Sequence, residues 1–381
     1  MRKPRVLIFI EWYLPGSRSG GPVQSCANLI AHLKDEFEFS VVARNTDYMS
    51  ETPYANIKSD QWNVLSDGTR VYYFSANKLS KQAIYSLLKS EEYDRVYLNG
   101  IFSKYFTLTP LRYFMGMTGS KVIVASRGML ADSALAIKRS KKSLFLFFAK
   151  QFNLFGGVLF HATNEQEAIS VKKKFGVNAK ICIAPNLPEK HDMKEWKSRS
   201  KQENLLKLVN VARIAPEKNI KYALEVLQSV TSNVQYDLYG PVYDERYWSE
   251  CKQIIRMLPG NIKVNYKGSL ESNQVSETIS QYDLLFLPTL GENFGHVILQ
   301  ALSVGTPVLI SDKTMWKGLE NKNAGWDILL SDRNKFVSVI ETCAKMSPSE
   351  YETVSKGAFD FAEAYRSNKE PVEENRQLFL K

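Results

Sequence analysis

Short apolar runs alternate along the whole chain with stretches that carry apolar residues every three or four positions. Strand period followed by helix period, repeated, predicts an α/β protein with parallel sheets. In the first half the predicted strands are 5–10, 39–43, 70–74, 95–98, 121–125, 158–162 and 181–184. A second series runs 208–212, 234–239, 262–266, 284–287 and 308–310. Between the two series, residues 185–201 carry prolines and charges without periodicity and are expected to be a linker. The pattern therefore predicts an N-terminal domain, 1–190, and a C-terminal domain, 203–366, with a last helix in 367–381 returning to the first. Two doubly wound domains facing each other across a deep cleft would bring both sets of strand ends to one interface, where ligand sites concentrate.

The bulk numbers narrow the classes. A length of 381 residues suits two ordinary domains, and 44% hydrophobic with 24% charged residues is globular composition. A net charge of +10 favours anionic partners such as sugar nucleotides or acidic lipid surfaces. No basic tail, zinc-finger spacing or RNA-recognition signature accompanies it, so no nucleic-acid partner is expected. Cys26, Cys182, Cys251 and Cys343 are scattered, which suits a reduced intracellular protein without structural zinc. The apolar run at the N-terminus is short and leads into Glu11, Trp12 and a Pro/Gly loop, so it reads as a first strand instead of a signal peptide. No apolar run approaches the ~18 residues that span a bilayer. The expected location is the cytoplasm, extending to a peripheral seat on the inner face of the plasma membrane.

The most informative segment is Glu292-Asn-Phe-Gly-His-Val-Ile-Leu-Gln300. It follows the apolar run Asp283-Leu-Leu-Phe-Leu-Pro288, which reads as a buried parallel strand. A strand, a glycine turn and a helix N-terminus bind phosphates, because unpaired N–H groups and the helix dipole converge there. Glu292 lies where open α/β sheets place ligands, and Gln300 falls ~12 Å further along the helix at ~1.5 Å per residue. One segment can thus hold a sugar, a pyrophosphate and a ribose. In Val209-Asn-Val-Ala-Arg-Ile-Ala-Pro-Glu-Lys218, Arg213 and Lys218 sit at a strand–helix junction, a pair of cations suited to a diphosphate. Gly20 and Gly21 follow the first strand and precede a helix beginning near Pro22, again suited to close approach of a phosphate. There is no G-x-G-x-x-G to suggest a dehydrogenase, and no Asp-x-Asp to hold Mg²⁺ or Mn²⁺. Protein cations would then stabilise a leaving pyrophosphate, so no metal and no cofactor are expected.

In this order the motifs resemble family 4 of the retaining glycosyltransferases, which have the GT-B fold of two facing Rossmann-like domains. The resemblance runs through Gly20-Gly21, Ala162-Thr-Asn-Glu-Gln-Glu167, Ile183-Ala-Pro-Asn186, Arg213 with Lys218, Tyr239-Gly-Pro241, Gly268-Ser-Leu270, Glu292-Asn-Phe-Gly295 and Gly305-Thr-Pro-Val308. Arg127-Gly-Met-Leu130 and the wording up to His296 also resemble a subgroup that builds bacterial surface polysaccharides: O-antigen, capsule or exopolysaccharide. The resemblance implies an acceptor-side first domain and a nucleotide-sugar-binding second domain. Glu292 would contact donor-sugar hydroxyls, and Asn293, Phe294, Gly295 and His296 would hold sugar and phosphate through their backbone. Arg213 and Lys218 would bind the diphosphate, with Gly20 and Gly21 approaching from the other domain, and Gly240 and Leu270 would line the nucleotide. Retention of configuration by front-face attack is implied, with a lipid-linked glycan as acceptor.

Two positions depart from the family pattern. Gln300 stands where a second glutamate usually grips the ribose. An amide has one accepting oxygen, and the lost charge assistance costs ~1–2 kcal/mol of donor binding. Arg127 stands where many relatives carry a histidine; it cannot act as a base but can stabilise charge on a phosphate, with a structural ion pair as its alternative role. His161 reads as a buried strand residue, and Glu165 and Glu167 as helix N-terminal charges. Residues 138–155 join a cationic block to an aromatic-rich helix and fit either a membrane-surface helix or a core helix with a basic start. The other readings of the chain are a sugar-nucleotide epimerase of the same fold and a catalytically silent nucleotide-sugar-binding partner.

Overall fold

A computed structural model describes residues 2–16, 18–114, 122–131, 134–135, 139–190 and 195–380. Lys121 of the expected fifth strand, Lys138 of the basic block and residues 191–194 of the expected linker lie outside the described residues. The chain divides into two units, 1–190 with 369–381, and 191–368.

The first unit is built on eight strands: β1 (Arg5–Phe9), β2 (Glu38–Arg44), β3 (Trp62–Val64), β4 (Arg70–Phe74), β5 (Arg95–Asn99), β6 (Val122–Ala125), β7 (Leu159–Ala162) and β8 (Lys180–Ile183). Their order is β3-β4-β2-β1-β5-β6-β7-β8, parallel except for β3, which runs antiparallel to β4. The two-residue period of β1 divides the core between the faces of the sheet. Leu7 and Phe9 pack with Ile84, Leu87, Leu146 and Ala149, whereas Val6 and Ile8 pack with Cys26, Leu29, Ile30 and Phe379. With both faces covered, Val6 to Phe9 are fully buried, which is why the strand reads as a continuous apolar run. The helix Glu370–Leu380 belongs to this unit, where the Phe379 ring lies 5.5 Å from Phe37 and 5.7 Å from Phe39.

The second unit has six parallel strands: β9 (Leu206–Val211), β10 (Val234–Tyr239), β11 (Ile262–Tyr266), β12 (Leu284–Leu287), β13 (Val308–Ser311) and β14 (Gly325–Ile328), in the order β11-β10-β9-β12-β13-β14. In each sheet the winding reverses once, between β1 and β5 and between β9 and β12. Loops leaving the two strands at such a reversal diverge and leave a crevice at their carboxyl ends.

Residues 195–201 are not a free linker. Arg199 donates to the carbonyls of Ser280 and Tyr282, both at 2.6 Å, and to the Thr306 hydroxyl at 2.6 Å. Lys201 is buried and donates to the Ala344 carbonyl at 2.9 Å. Carbonyls left over at helix ends need donors, and two cations without apolar periodicity supply them. Hydrophobic patterning therefore cannot reveal this strap.

In the first unit the turn after β6 has its own clamp. Arg127 is left-handed, with φ of 49°, and Gly128 follows with φ of 73°. Glu167, at the start of the helix Glu165–Phe175, fixes that turn instead of serving as a solvated helix-end charge. Its carboxylate accepts from the Ser126 hydroxyl at 2.6 Å, the Gly128 amide at 2.5 Å, and the Thr163 amide and hydroxyl, both at 2.7 Å. Burial pushes its pKa up, but these hydrogen bonds outweigh burial and hold it below the ordinary carboxylate value. Glu165, two residues earlier, is exposed.

Arg199→Ala removes its three short hydrogen bonds, and a longer one to the Val304 carbonyl at 3.5 Å, from a charged donor and should cost ~2–4 kcal/mol, lowering the melting temperature of the second unit by about 5–12 °C. Calorimetry checks this, and an unchanged transition would mean the strap is ornamental. Glu167→Gln should cost ~2–3 kcal/mol at neutral pH, because the amide turns donors toward donors. A depressed folded-state pKa stabilises fully above the unfolded value of ~4.3 and fades as pH falls through the lower folded value. The gap between wild type and Glu167→Gln in urea unfolding should therefore narrow below about pH 4. A gap constant from pH 7 to 3 would contradict the clamp.

Candidate active site

The reversal between β9 and β12 positions the chemistry of the second unit. After β9 the chain passes Arg213 and makes a tight turn at Pro216–Lys218, ended by left-handed Asn219. After β12 it passes Thr289 and Leu290 to Glu292. Three hydrogen bonds knit the loops: Asn219 Nδ2 to the Pro288 carbonyl at 2.9 Å, and the Leu290 amide and Thr289 hydroxyl to the Glu217 carbonyl, both at 2.9 Å. Between them Lys218 Nζ and Glu292 Oε1 form an ion pair, each side chain only 13% exposed. Arg213 is more open at 38%; its Nη2 lies 3.2 Å from Glu217 Oε1 and its guanidinium 5.4 Å from the Tyr243 ring centre.

The loop after β13 supports the other side of Glu292. The Glu292 amide donates to the Lys313 carbonyl at 3.1 Å, and the indole N–H of Trp316 donates to the Phe294 carbonyl at 2.6 Å. The Phe294 ring lies 5.4 Å from Trp316 and 4.6 Å from His296. Gly295, left-handed with φ of 76°, opens the helix His296–Ser303, and a Cβ there would meet Ile298 at 2.8 Å. The first N–H groups of that helix have no intrahelical acceptor, and its dipole adds positive charge at the same place. Gln300 lies one turn further on, half-buried and without a side-chain hydrogen bond among the described residues. Lys313 and Trp316 were not foreseen. The signal was available, since their loop leaves the carboxyl end of β13 beside β12.

Gly240 has a backbone reason for its identity. Its φ is 138°, and a Cβ would stand 2.0 Å from the Ala212 carbonyl oxygen, so only glycine lets the end of β10 lie against the Arg213 loop. Its amide donates to the Gly268 carbonyl at 2.8 Å, which brings the loop of half-buried Leu270 alongside.

Of the expected site residues, Arg213, Lys218, Gly240, Leu270, Glu292, Asn293, Phe294, Gly295, His296 and Gln300 belong to the second unit, and Gly20, Gly21 and Arg127 to the first. Gly20 precedes the helix Gly21–Leu33 at the carboxyl end of β1. Arg127 has no carboxylate partner among the described residues; its guanidinium donates to Asn99 Oδ1 at 2.8 Å, to the Tyr97 hydroxyl at 2.8 Å and to Asn186 Oδ1. Tyr97 in turn donates to His161 Nδ1 at 2.8 Å, because His161 Nε2 must donate to the Ala184 carbonyl at 2.7 Å. Burial, then the nearby Arg127 charge, push His161 down to about 4, so the imidazole is neutral and the relay carries one permanent cation. The Asn99 side-chain N–H₂ is buried without a partner beside it.

The second-unit site therefore offers a carboxylate for hydroxyls, two cations and a helix N-terminus for phosphate, and glycine-lined backbone for close approach. Among the described residues no group of three or more His, Cys, Asp or Glu side chains converges as a metal site.

These loops fall within residues 164–337, which match the family model described as glycosyl transferases group 1. The chain is 25% identical over 283 residues, 68% of each sequence, to the UDP-Gal:alpha-D-GlcNAc-diphosphoundecaprenol alpha-1,3-galactosyltransferase of Escherichia coli. Its structure is similar to that of HepE from Anabaena in complex with UDP and glucose, with a TM-score of 0.70, 15% identity and 98% of each chain covered. It is also similar to WaaG, a glycosyltransferase involved in lipopolysaccharide biosynthesis, with a TM-score of 0.65, 14% identity, and 98% and 99% of the two chains covered. Two parallel-sheet units, a carboxylate–cation pair at the strand reversal and the matched family stretch lead to one conclusion: the chain has the GT-B fold, and its residues 164–337 match glycosyl transferases group 1.

Proposed function

We propose that the chain moves a hexose-type sugar from a nucleoside diphosphate donor to a lipid-linked glycan, with retention, in the assembly of a bacterial surface polysaccharide. The reaction is assigned to the cytoplasmic side of the membrane. The observation that carries the reading is the Lys218–Glu292 pair at the reversal of the second sheet. Glu292 accepts from hydroxyls of the donor sugar, and Lys218, Arg213 and the helix at His296 neutralise the diphosphate. A similar protein from Escherichia coli is named for a UDP-galactose donor and a diphosphoundecaprenol-linked acceptor, which supports this donor and acceptor class.

In the retaining step proposed here, the bond from the anomeric carbon to the donor phosphate breaks. The acceptor oxygen forms its bond on the same face, and its proton passes to the departing phosphate oxygen. The phosphate thus serves as the base, and the protein's part is to orient the groups and stabilise the charge that develops on the diphosphate. Arg213 and Lys218 supply that charge in place of a metal ion.

Glu292→Gln keeps the shape of the loop but leaves Lys218 without its counter-charge and the sugar with a weaker acceptor. Transfer should fall about a hundredfold, on the order of 3 kcal/mol, with the melting temperature within a few degrees of wild type. Full activity in that variant would refute the site. Gln300→Glu should tighten donor binding about tenfold by restoring a charged acceptor for the ribose hydroxyls. Calorimetric titration with EDTA present checks both the gain and the independence from metal. Equal affinity would reject the ribose contact, donor turnover without any acceptor would favour an epimerase, and no binding of UDP-, GDP- or ADP-sugars by the wild type would favour a silent partner.

A further inference from the structure

The helix Arg139–Gln151 is apolar on both sides. Its inward face is accounted for: Leu146 and Ala149 enter the core of the first unit, and the Phe145 ring packs 5.5 Å from Phe102. Its outward face carries Leu144, Phe147 and Phe148, followed in the next turn by Phe152, which are 59%, 63%, 47% and 71% exposed. These three are the only exposed phenylalanines among the described residues, in a chain that has 20. With Leu144 they fall at positions i, i+3, i+4 and i+8, which sets them along one stripe. They lean on one another, with Phe147 and Phe148 edge-on at 5.5 Å and Phe148 and Phe152 stacked at 6.1 Å. At ~200 Å² per aromatic side chain the stripe leaves several hundred Å² of apolar surface in water, a contiguous patch that marks an interaction site.

The charge around the stripe identifies the partner. From 133 to 164 the sequence holds Lys138, Arg139, Lys141, Lys142 and Lys150 and no aspartate or glutamate. Lys141 and Lys150 are exposed and have no carboxylate partner among the described residues. A second copy of the chain would bring the same uncompensated cations face to face, so the charge disfavours self-association. An anionic lipid surface supplies what the stripe lacks, acyl chains for the phenylalanines and phosphates for the lysines. No helix among the described residues is long and apolar enough to cross a membrane, so a helix lying in the interface is the geometry that remains for this stripe.

We propose that Leu144, Phe147, Phe148 and Phe152, rimmed by Lys141 and Lys150, form a docking face by which the first unit lies on an anionic membrane surface. The proposal deepens the lipid-linked acceptor reading, which supplies the reason for a membrane to be near, but its test uses neither donor nor acceptor. The full-length protein is sedimented with vesicles of phosphatidylethanolamine and phosphatidylglycerol, and separately with phosphatidylcholine vesicles. Wild type should partition onto the anionic vesicles at least tenfold better than onto the neutral ones, and high salt should weaken it. Phe147→Ser, Phe148→Ser and Phe152→Ser combined should lower partitioning at least tenfold. Lys141→Glu with Lys150→Glu, which spares the apolar stripe and so guards against a folding artefact, should lower it by a similar factor. Both variants should keep the wild-type melting temperature and the wild-type rate on a water-soluble acceptor analogue. Wild type that stays in solution with anionic vesicles, variants that bind as well as wild type, or a dimer in solution that the serine variant dissolves would each overturn the proposal. Any of these leaves the rate on the soluble analogue to judge the transferase reading separately.

Discussion

Lys218 and Glu292 stand 74 positions apart in the chain and meet because of one topological fact. A sheet of parallel strands sends every loop that follows a strand to the same edge, and a single reversal of winding brings two of those loops together over a crevice. In the second unit the two loops are those after β9 and β12. Neighbouring groups support the meeting: hydrogen bonds from Asn219, Leu290 and Thr289 tie the loops, and Lys313 and Trp316 hold the far side. The pair itself is a poor device for stability. At an effective dielectric near 20, two charges ~4 Å apart gain about 4 kcal/mol, and withdrawing both from water consumes most of it. Under the proposed function, a pair held at 13% exposure is charge kept in reserve for the donor.

How far this was legible in the sequence depends on what kind of force positions each part. Strands buried on both faces have to be apolar throughout, so most announced themselves as short runs such as Leu284 to Leu287. β3 and β14 did not: Trp62–Val64 and Gly325–Ile328 lie at sheet edges, where one polar or glycine residue breaks so short a run. The loops of the candidate site were legible because their chemistry is local, with a cation, a carboxylate or a glycine beside a strand end. What patterning could not carry was polar tertiary structure. Arg199 and Glu167 each make three or four hydrogen bonds to partners scattered through their units. In the sequence one resembled a linker charge and the other a helix-end carboxylate.

The first unit shows a different use of charge. Arg127, Tyr97, His161 and the Ala184 carbonyl form a directed relay in which every member has a fixed donor or acceptor role. Burial and the guanidinium keep the imidazole neutral, so the relay has no proton to give at physiological pH. The left-handed turn at Arg127 is anchored by Glu167 below it, and its guanidinium is fixed by two asparagines and a phenol. Such a group is a rigid cation, suited to stabilising charge and unsuited to moving protons.

Charge matching in the second unit then constrains how a donor of the proposed kind would bind. As the loops stand, Lys218 is matched by Glu292 and Arg213 by Glu217, so each cation already has a counter-charge. A diphosphate must draw those cations away from their carboxylates. If it arrives without a sugar, Glu292 is left largely shielded from water without its lysine, and that desolvation opposes binding. If it arrives with one, sugar hydroxyls satisfy Glu292 as the phosphates satisfy Lys218. Sugar and diphosphate would thus bind cooperatively through one exchange of partners, although neither touches the other's ligand. The same exchange runs in reverse once the sugar has left: Glu292 loses its hydroxyl partners, and re-forming the Lys218–Glu292 pair favours release of the nucleoside diphosphate.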